Sequence, residues 1–322
     1  MTLWPLIEWP SDTDFDAPVE GSLLTEHSQV SHDDAPYRVQ LLSGSIGAVV
    51  HGVNLKTELT DQQVAQLRQI WVQRRVIFLP RQFVTPEEHK RFAQYFGELT
   101  PAHPVIEGIT GHPEVFEIDY SQSRQVYAQY GDVAHRSQGL DWHTDVTFVE
   151  RPPAGSILNA VKIPPAGGDT QWSDQIAAFA ALSDSLKAYL RTLTAIHDGS
   201  HAFAAQLEKR EGKATWDGKE FPKLVPVEHP VVRTHPESGE EILFVNPGFT
   251  LKIKELSPAE SDALLSFLYA HSTRPEFVVR YHWNEGDIAF WDNRSTQHSV
   301  VGDFGTQERV IQRVTIRGDK PF

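Results

Sequence analysis

The chain has 322 residues, of which 40% are hydrophobic and 22% charged, the composition of an ordinary soluble globular protein. Its formal net charge of −14, without any block of Lys or Arg, argues against a nucleic-acid partner and against an anionic membrane surface. The absence of cysteine excludes disulfides and thiolate chemistry but does not fix the compartment. No apolar run approaches membrane-spanning length, so we predict a soluble, cytoplasmic protein.

The N-terminal stretch differs in composition from the rest of the chain. Residues 1–36 are rich in Pro, Asp, Ser and His and show no periodicity. They also lack the basic start and the apolar run of a secretory signal. A strand-like pattern begins at Tyr37. We therefore predict an N-terminal extension over 1–36 and a single domain over 37–322.

The first half of that domain combines short strands with two capped helices. Thr60 and Thr85 are each followed three residues later by Gln or Glu, which is the capping-box pattern that begins a helix. Apolar residues then recur at helical spacing in both segments. Short apolar or alternating runs predict strands over residues 37–50, 75–80, 115–120, 142–148 and 156–161.

The second half is mostly strand. Ser257 is followed by proline, a pattern that is typical of a helix start and predicts one helix there. Two more helices are predicted over 174–182 and 183–193. Strands are predicted through Trp172 and over residues 231–234, 242–245, 277–281, 286–291 and 309–317. Residues 199–224 are charged and aperiodic, and we predict that they form an active-site lid; the alternative is a plain surface loop. Many short strands with Gly/Pro turns favour a mainly β, double-sheet fold with flanking helices.

The stretch 142–148 carries the first candidate metal ligands. Side chains at i and i+2 of a strand point to the same face, so His143 and Asp145 are expected to project together. His298, near the C-terminus, offers a third ligand. Two histidines and one carboxylate on one face of a metal are the arrangement of non-haem Fe(II) oxygenases. Buried structural histidines produce the same spacing, so the residues alone leave both interpretations open.

The last predicted strand carries two arginines. Arg309 and Arg313 share one face of this period-two strand, and the opposite face is apolar and is expected to be core. Four residues of strand span about 13 Å, so the two side chains are too far apart to clamp one small carboxylate together. We expect two separate anion sites, each bound by the bidentate fork of an arginine; the alternative is that both pair with acidic surface neighbours.

Taken together, these stretches resemble the Fe(II)/2-oxoglutarate-dependent taurine dioxygenase family. The resemblance runs from about Val39 to Phe322 and follows the family's motifs in order. The matching stretches are residues 142–148, Gly167-Gly168-Asp169-Thr170, 229–236, Phe244-Val245-Asn246, Trp291-Asp292-Asn293-Arg294 with His298, and Arg309 through Arg313 to Gly318.

The resemblance implies a double-stranded β-helix (jelly-roll) core with the metal at one mouth. Carried over residue by residue, it makes His143, Asp145 and His298 the iron ligands. It assigns Arg309 and Thr170 to the distal carboxylate of 2-oxoglutarate. The implied cofactors are therefore Fe(II), 2-oxoglutarate as cosubstrate, and O2.

The primary substrate implied by the resemblance is a small anion such as taurine, an alkylsulfonate or an alkylsulfate. Its anionic head would be held by Arg313, His103 and the backbone amide of Val146, and Phe203 and Phe249 would line its pocket. Hydroxylation of the carbon next to the head group would release an aldehyde with sulfite or sulfate, alongside succinate and CO2. Family members are commonly dimers or tetramers, so we expect a homo-oligomer.

Three positions depart from the taurine enzymes. Where those enzymes have polar Tyr, Asn and Ser around the amine of taurine, this chain has Ile106, Gly139 and Ala202. Leaving even a neutral buried donor without a partner costs about 1–3 kcal/mol. We therefore expect a substrate with the same anionic head and a less polar tail than taurine.

Other functions are also compatible with parts of the pattern. Arg313 would suit a carboxylate substrate, such as a phenoxyacetate or an amino acid, as well as a sulfonate. A zinc hydrolase with the same ligands would leave Arg309 and Thr170 without a role. A non-catalytic jelly-roll binding protein predicts the loss of a ligand or of Arg309, and all of them are present.

Overall fold

The structure, a computed structural model, describes residues 37–120, 142–200, 202–203, 214–216, 219–221 and 223–322. The predicted extension over 1–36 lies outside these residues, so the domain boundary at 36 stays a prediction. The described residues include these strands: β1 Arg38–Leu41, β2 Ala48–His51, β3 Val76–Leu79, β4 Phe116–Asp119, β5 Gly155–Lys162, β6 Thr170–Asp174, β7 Thr194–His197, β8 Ala214–Trp216, β9 Lys219–Phe221, β10 Val227–Pro230, β11 Val232–Thr234, β12 Glu241–Leu243, β13 Thr250–Ile253, β14 Val278–Tyr281, β15 Ile288–Asp292, β16 Thr296–Val300 and β17 Val310–Ile316.

The helices begin where the capping signals predict. They are α1 Asp61–Arg74, α2 Pro86–Gln94, α3 Gln175–Ala180, α4 Asp184–Leu190 and α5 Pro258–Ser272, followed by a 3-10 turn at Pro275–Phe277. At the start of α1, the hydroxyl of Thr60 accepts from the N–H of Gln63 and the Gln63 side chain accepts from the N–H of Thr60. Thr85 and Glu88 make the same reciprocal pair before α2. Both capping-box predictions are confirmed.

Two sheets form the core of the fold. The larger has seven strands in the order β1-β2-β3-β15-β5-β17-β4, and the smaller has the order β14-β6-β16. Apolar side chains from both sheets, including Phe78, Trp172 and Trp291, meet in one buried cluster. The predicted double-sheet jelly roll is therefore confirmed, with the space between the sheets filled by large aromatic side chains.

The outer face of the larger sheet is covered by α1 and α2. Along β3, Val76 and Phe78 point into the space between the sheets, whereas Ile77 and Leu79 pack with the helices. This alternation follows from the period-two geometry of a strand. A strand that is buried on both faces has a continuous run of apolar residues in its sequence, and residues 76–79 show this pattern.

The remaining helices cover a smaller sheet. Strand β7 lies between β10 and β13, and its Ala195 is buried with Phe179 of α3, Leu190 of α4 and Leu268 of α5. This group forms a separate apolar cluster beside the jelly roll. Among the described residues, no helix combines the length and the apolar character needed to cross a bilayer.

One predicted strand is wrong. Residues 142–148 do not form a strand: His143 makes an isolated bridge with His298, and the chain then turns, with Val146 at a positive φ of 56°. Side-chain hydrogen bonds replace the ladder here, because the hydroxyl of Thr144 donates to the carbonyl of Thr296. A side chain that bonds to the backbone competes with regular sheet pairing.

Candidate active site

The three predicted ligands converge, with one ligand atom of each residue within 4.8 Å of the others. His143 forms the isolated bridge, Asp145 lies in the turn that follows it, and His298 lies on β16. The Nε2 atoms of His143 and His298 lie 3.7 and 3.9 Å from Oδ1 of Asp145. Among the described residues, these three form a group whose nitrogen and oxygen donors can share one metal ion. Two imidazoles and a carboxylate fit Fe(II), and they leave further coordination positions for other ligands.

Asp145 is held as a carboxylate. The hydroxyl of Ser156 on β5 donates to Oδ2 at 2.7 Å, and the guanidinium of Arg313 on β17 donates to Oδ1. Burial alone would raise the pKa of Asp145, but the charge of Arg313 and the nearby imidazoles hold that pKa well below its usual range. Asp145 therefore stays anionic, as a metal ligand must be.

His298 is held as a neutral base. Burial lowers its pKa to about 3, and the neighbouring ring of His143 acts in the same direction. The two ring centroids are 4.2 Å apart. Since a histidine binds metal in its neutral form, no proton has to be displaced from His298 near neutral pH.

Arg309 and Thr170 form a second polar site between the sheets. Arg309 precedes β17 and is fully buried; its Nε donates to the carbonyl of Gly168 at 3.0 Å, and its Nη2 to the hydroxyl of Thr170 at 3.3 Å. Burial lowers the pKa of Arg309, and its guanidinium carbon lies 4.9 Å from the ring centre of Tyr120. Gly168 has a φ of +72°, and a Cβ built there would lie 3.1 Å from Cδ of Arg309. Glycine therefore lets the backbone approach the arginine.

This second site has the polar groups that a dicarboxylate cosubstrate requires. Nη1 of Arg309 is buried and makes no hydrogen bond within the described residues. The hydroxyl oxygen of Thr170 accepts from Arg309 and from Nε1 of Trp283 at 3.0 Å, so its own hydrogen is available to donate. Donors on two side chains that are joined by a 3.3 Å hydrogen bond suit the distal carboxylate of 2-oxoglutarate.

Arg313 lies at a different place from Arg309. Its guanidinium contacts Asp145 and lies 5.1 Å from the ring centre of Phe116. Both faces of β17 are buried: Val314 packs on the helix side, as expected, and the arginine face lies between the sheets with Ile311. The alternative in which the two arginines pair with acidic groups on the surface is therefore wrong.

An aromatic wall runs from the metal ligands to His103. The ring of His143 lies 6.0 Å from Phe249, which lies 4.9 Å from Phe148. Phe203 lies 5.4 Å from Phe148 and 4.5 Å from His103. These centroid distances place three phenyl rings side by side. The predicted pocket residues Phe203 and Phe249 are thus brought together, and Phe148 joins them.

His103 and the backbone of Val146, the polar groups predicted to bind the substrate head, each have a defined orientation. Nδ1 of His103 accepts from the N–H groups of Val105 and Ile106 at 3.1 and 3.3 Å, which places the proton of the neutral ring on Nε2. Val146 is buried in the same apolar cluster as Phe148 and Phe249. Its positive φ turns the backbone immediately after the ligand Asp145.

The positions that depart from the taurine enzymes have different surroundings. Ile106 packs against the aromatic cluster, whereas Ala202 is exposed. Gly139 lies outside the described residues. The predicted lid over 199–224 is described only in part; within it, β8 pairs with β9, and Trp216 is buried against the cluster and donates to the carbonyl of Arg151. Its role as a lid stays a prediction.

Sequence reasoning missed two residues that hold Asp145. Ser156 bonds its carboxylate, and the side chain of Asn293 bonds its backbone. Ser156 begins the predicted strand over 156–161, and Asn293 lies inside the Trp291–Arg294 motif, so both residues lie within predicted features. Their function depends on which strands become neighbours, and no local pattern reveals that.

A jelly roll with a two-histidine, one-carboxylate site and a buried Arg–Thr pair beside it defines the class of non-haem Fe(II), 2-oxoglutarate-dependent dioxygenases. The profile described as "Taurine catabolism dioxygenase TauD, TfdA family" matches residues 38–315. The chain belongs to this family.

Similar proteins agree with this assignment. An alpha-ketoglutarate-dependent sulfate ester dioxygenase of Pseudomonas putida is 36% identical over 89% of this chain and 93% of its own length. An alkylsulfatase of Acinetobacter baylyi is 34% identical over 88% of this chain and 85% of its own. A solved taurine dioxygenase from Burkholderia xenovorans superimposes with a TM-score of 0.73 at 39% identity, covering 89% of this chain and 91% of that one.

Proposed function

We propose that this enzyme hydroxylates the carbon next to a sulfate or sulfonate group, using Fe(II), 2-oxoglutarate and O2. The observation that carries the proposal is the placement of two buried arginines at two sites: Arg313 beside the metal ligand Asp145, and Arg309 beside Thr170. Each guanidinium can bind one anion, because Nη1 of Arg309 and Nε of Arg313 are buried and have no hydrogen-bond partner among the described residues. The names of the Pseudomonas and Acinetobacter relatives support sulfate esters as substrates.

His143, Asp145 and His298 would hold the iron, and Arg309 with Thr170 would hold the distal carboxylate of 2-oxoglutarate. Bound iron would catalyse the oxidation of 2-oxoglutarate by O2 to succinate and CO2, and this reaction would be coupled to oxidation of a substrate C–H bond. The protein's own contribution is to position that bond and to exclude water.

Arg313, His103 and the amide of Val146 would bind the sulfate or sulfonate. Because Arg313 contacts Asp145, an anion on this arginine lies next to the metal ligands, and so does the carbon attached to it. Hydroxylation of that carbon gives an unstable adduct. Its collapse breaks the bond to the head group and releases an aldehyde with sulfate from an ester, or with sulfite from a sulfonate.

The tail of the substrate would lie against Phe203 and Phe249. The cluster around these rings is built from apolar side chains, among them Val105, Val149 and Leu224. Burying apolar surface is worth about 25 cal/mol per Å2, whereas an unpartnered ammonium is penalised in the same place. An alkyl tail therefore suits the wall better than the amine of taurine.

A substrate panel tests the proposal. The enzyme with Fe(II) and 2-oxoglutarate is offered pentyl sulfate, pentanesulfonate, taurine and phenoxyacetate, and succinate, sulfate and sulfite are measured. We expect succinate formation to match sulfate or sulfite release for the first two. Taurine exceeding pentanesulfonate by about tenfold in kcat/KM, a difference of about 1.4 kcal/mol, would refute the apolar-tail proposal. Preference for phenoxyacetate would establish the carboxylate alternative.

A second measurement separates the oxygenase from a hydrolase. Anaerobic addition of Fe(II) and 2-oxoglutarate should give a visible charge-transfer band, which a zinc hydrolase would not give. The homo-oligomeric state, a dimer or a tetramer, and the cytoplasmic location stay predictions; light scattering on the purified chain measures the former.

A further inference from the structure

The side chain of Asn293 holds the backbone of Asp145 from both sides. Its Oδ1 accepts from the N–H of Asp145 at 2.9 Å, and its Nδ2 donates to the carbonyl of the same residue at 3.0 Å. The second hydrogen of Nδ2 is directed to the carbonyl of Pro153, also at 3.0 Å. Asn293 is 1% exposed, so water does not compete for these bonds.

Asp145 needs such a partner because no strand among the described residues pairs with it. Only His143 of this stretch forms a bridge, and Val146 is in the left-handed region, so the turn has no ladder of backbone hydrogen bonds. The amide of Asn293 presents one acceptor and one donor to Asp145, as a neighbouring strand would. It therefore substitutes for the missing strand at the metal ligand.

Asn293 is itself held firmly. It lies in the turn between β15 and β16. In this turn Oδ1 of Asp292 accepts two hydrogen bonds from Arg294, one from its backbone N–H at 2.9 Å and one from its Nε at 3.0 Å. The hydroxyl of Thr296 donates to the carbonyl of Asp292 at 2.7 Å. The same hairpin continues into β16, which carries His298. Asn293 thus connects the turn of one ligand to the hairpin of another.

We propose that Asn293 is a positioning residue of the metal site: by fixing the backbone of Asp145 relative to the His298 hairpin, it sets the affinity for the metal. The inference rests on the proposed function only in requiring that these three residues bind a metal. Partners that orient metal ligands typically contribute about 10- to 100-fold in affinity. Asn293 acts through Asp145 and does not touch the ion.

The chain offers a matched control in Gln82. Its side-chain amide makes the same three bonds, accepting from the N–H of Leu55 at 3.0 Å and donating to the carbonyls of Val53 and Pro80 at 3.1 and 2.8 Å. Gln82 is also buried, and its partners lie in segments without a metal ligand. Its loss should destabilise the fold to a similar degree without affecting the metal site.

Mn(II) binding to the full chain, without cosubstrate or substrate, is the test. Calorimetric Kd values are measured for wild type, Asn293→Ala and Gln82→Ala, together with urea midpoints. We expect both variants to unfold at lower urea, but only Asn293→Ala to bind Mn(II) at least about tenfold more weakly. The Gln82→Ala protein should stay within about twofold of wild type.

Two results would overturn the proposal: an unchanged Mn(II) affinity in Asn293→Ala, or an equal loss of affinity in both variants. If Asn293→Ala does not fold, Asn293→Ser is judged by the same criteria. A wild-type protein that binds no Mn(II) would instead refute the metal site itself. Failure on sulfate esters with intact Mn(II) binding would refute only the proposed substrate.

Discussion

Gly248 lies directly against His143: a Cβ built on the glycine would stand 2.8 Å from Cβ of the histidine. Real Cβ atoms essentially never approach another atom so closely. Gly248 belongs to a turn in which Oδ1 of Asn246 accepts from the N–H of Phe249 at 2.9 Å. The turn that positions the aromatic wall is thus in contact with a metal ligand, and it cannot accept a side chain at residue 248 without moving one of them.

Replacing Gly248 should therefore weaken metal binding. In Gly248→Ala we expect the Mn(II) Kd to rise by about tenfold, because either His143 or the turn must move to relieve a contact of 2.8 Å. Gly44→Ala is the control, since nothing lies within 4 Å of a Cβ at that position. Equal Mn(II) affinity in Gly248→Ala and wild type would show that the contact has no effect on the ligand.

The two arginines should control two different Michaelis constants. Arg309→Lys keeps the positive charge but loses the fork, so we expect the KM for 2-oxoglutarate to rise by about tenfold or more. The KM for the sulfate ester should stay within about twofold at saturating cosubstrate. In Arg313→Lys the larger increase should fall on the sulfate ester. If both KM values rise equally in Arg309→Lys, the assignment of separate anion sites is wrong.

Adding a hydroxyl to the aromatic wall should change substrate preference. Ile106 packs against the cluster that contains Phe203, so Ile106→Tyr offers a partner to the amine of taurine. A hydrogen bond to a charged group contributes about 1.5–3 kcal/mol, so the kcat/KM of taurine relative to pentanesulfonate should rise by about tenfold. Competition assays measure this ratio. Leu251→Tyr, at an exposed site on β13, should leave the ratio unchanged.

The stability of the fold should fall in mild acid because of buried neutral histidines. Burial lowers the pKa of His89 to about 4, against a partial opposing effect of the carbonyl of Ile157, to which Nε2 donates at 3.1 Å. Below pH 6.5 the histidine of the unfolded chain binds a proton that His89 of the folded chain does not. The contribution of His89 to the free energy of unfolding is therefore complete above that pH and is lost as the pH falls towards 4.

His89→Gln tests whether stability falls with pH for this reason, because glutamine can also donate to the carbonyl of Ile157 but does not titrate. From pH 7.5 to pH 5, we expect the free energy of unfolding of the variant to fall by about 2 kcal/mol less than that of wild type. Urea titrations at the two pH values measure the difference. A variant that loses as much stability as wild type would show that His89 is protonated in the folded state.

Local signals predicted the elements that depend on neighbours in sequence. The capping boxes at Thr60 and Thr85 form as expected, because their partners lie three residues away. The short buried strand after Arg75 was readable as an apolar run. By contrast, β7, β10 and β13 were not predicted, since each mixes polar with apolar residues in only four positions and shows no continuous apolar run.

The stretch 142–148 shows the limit of local reasoning most clearly. Its aromatic and β-branched residues favour a strand, yet the chain makes one bridge and turns at Val146. His143 and Asp145 still converge, but through a turn held by Asn293 and Ser156. Long-range hydrogen bonds overrode the local β preference.

Local patterns predict the capped helices, the buried strands and, through the motifs shared with a family, the two histidines and the carboxylate of the metal site. How that carboxylate is held, and that Arg313 lies against it, follows from the packed fold alone. The reason is distance along the chain: Asn293 and Arg313 are 148 and 168 residues from Asp145, and bonds between such residues exist only once the sheets have packed.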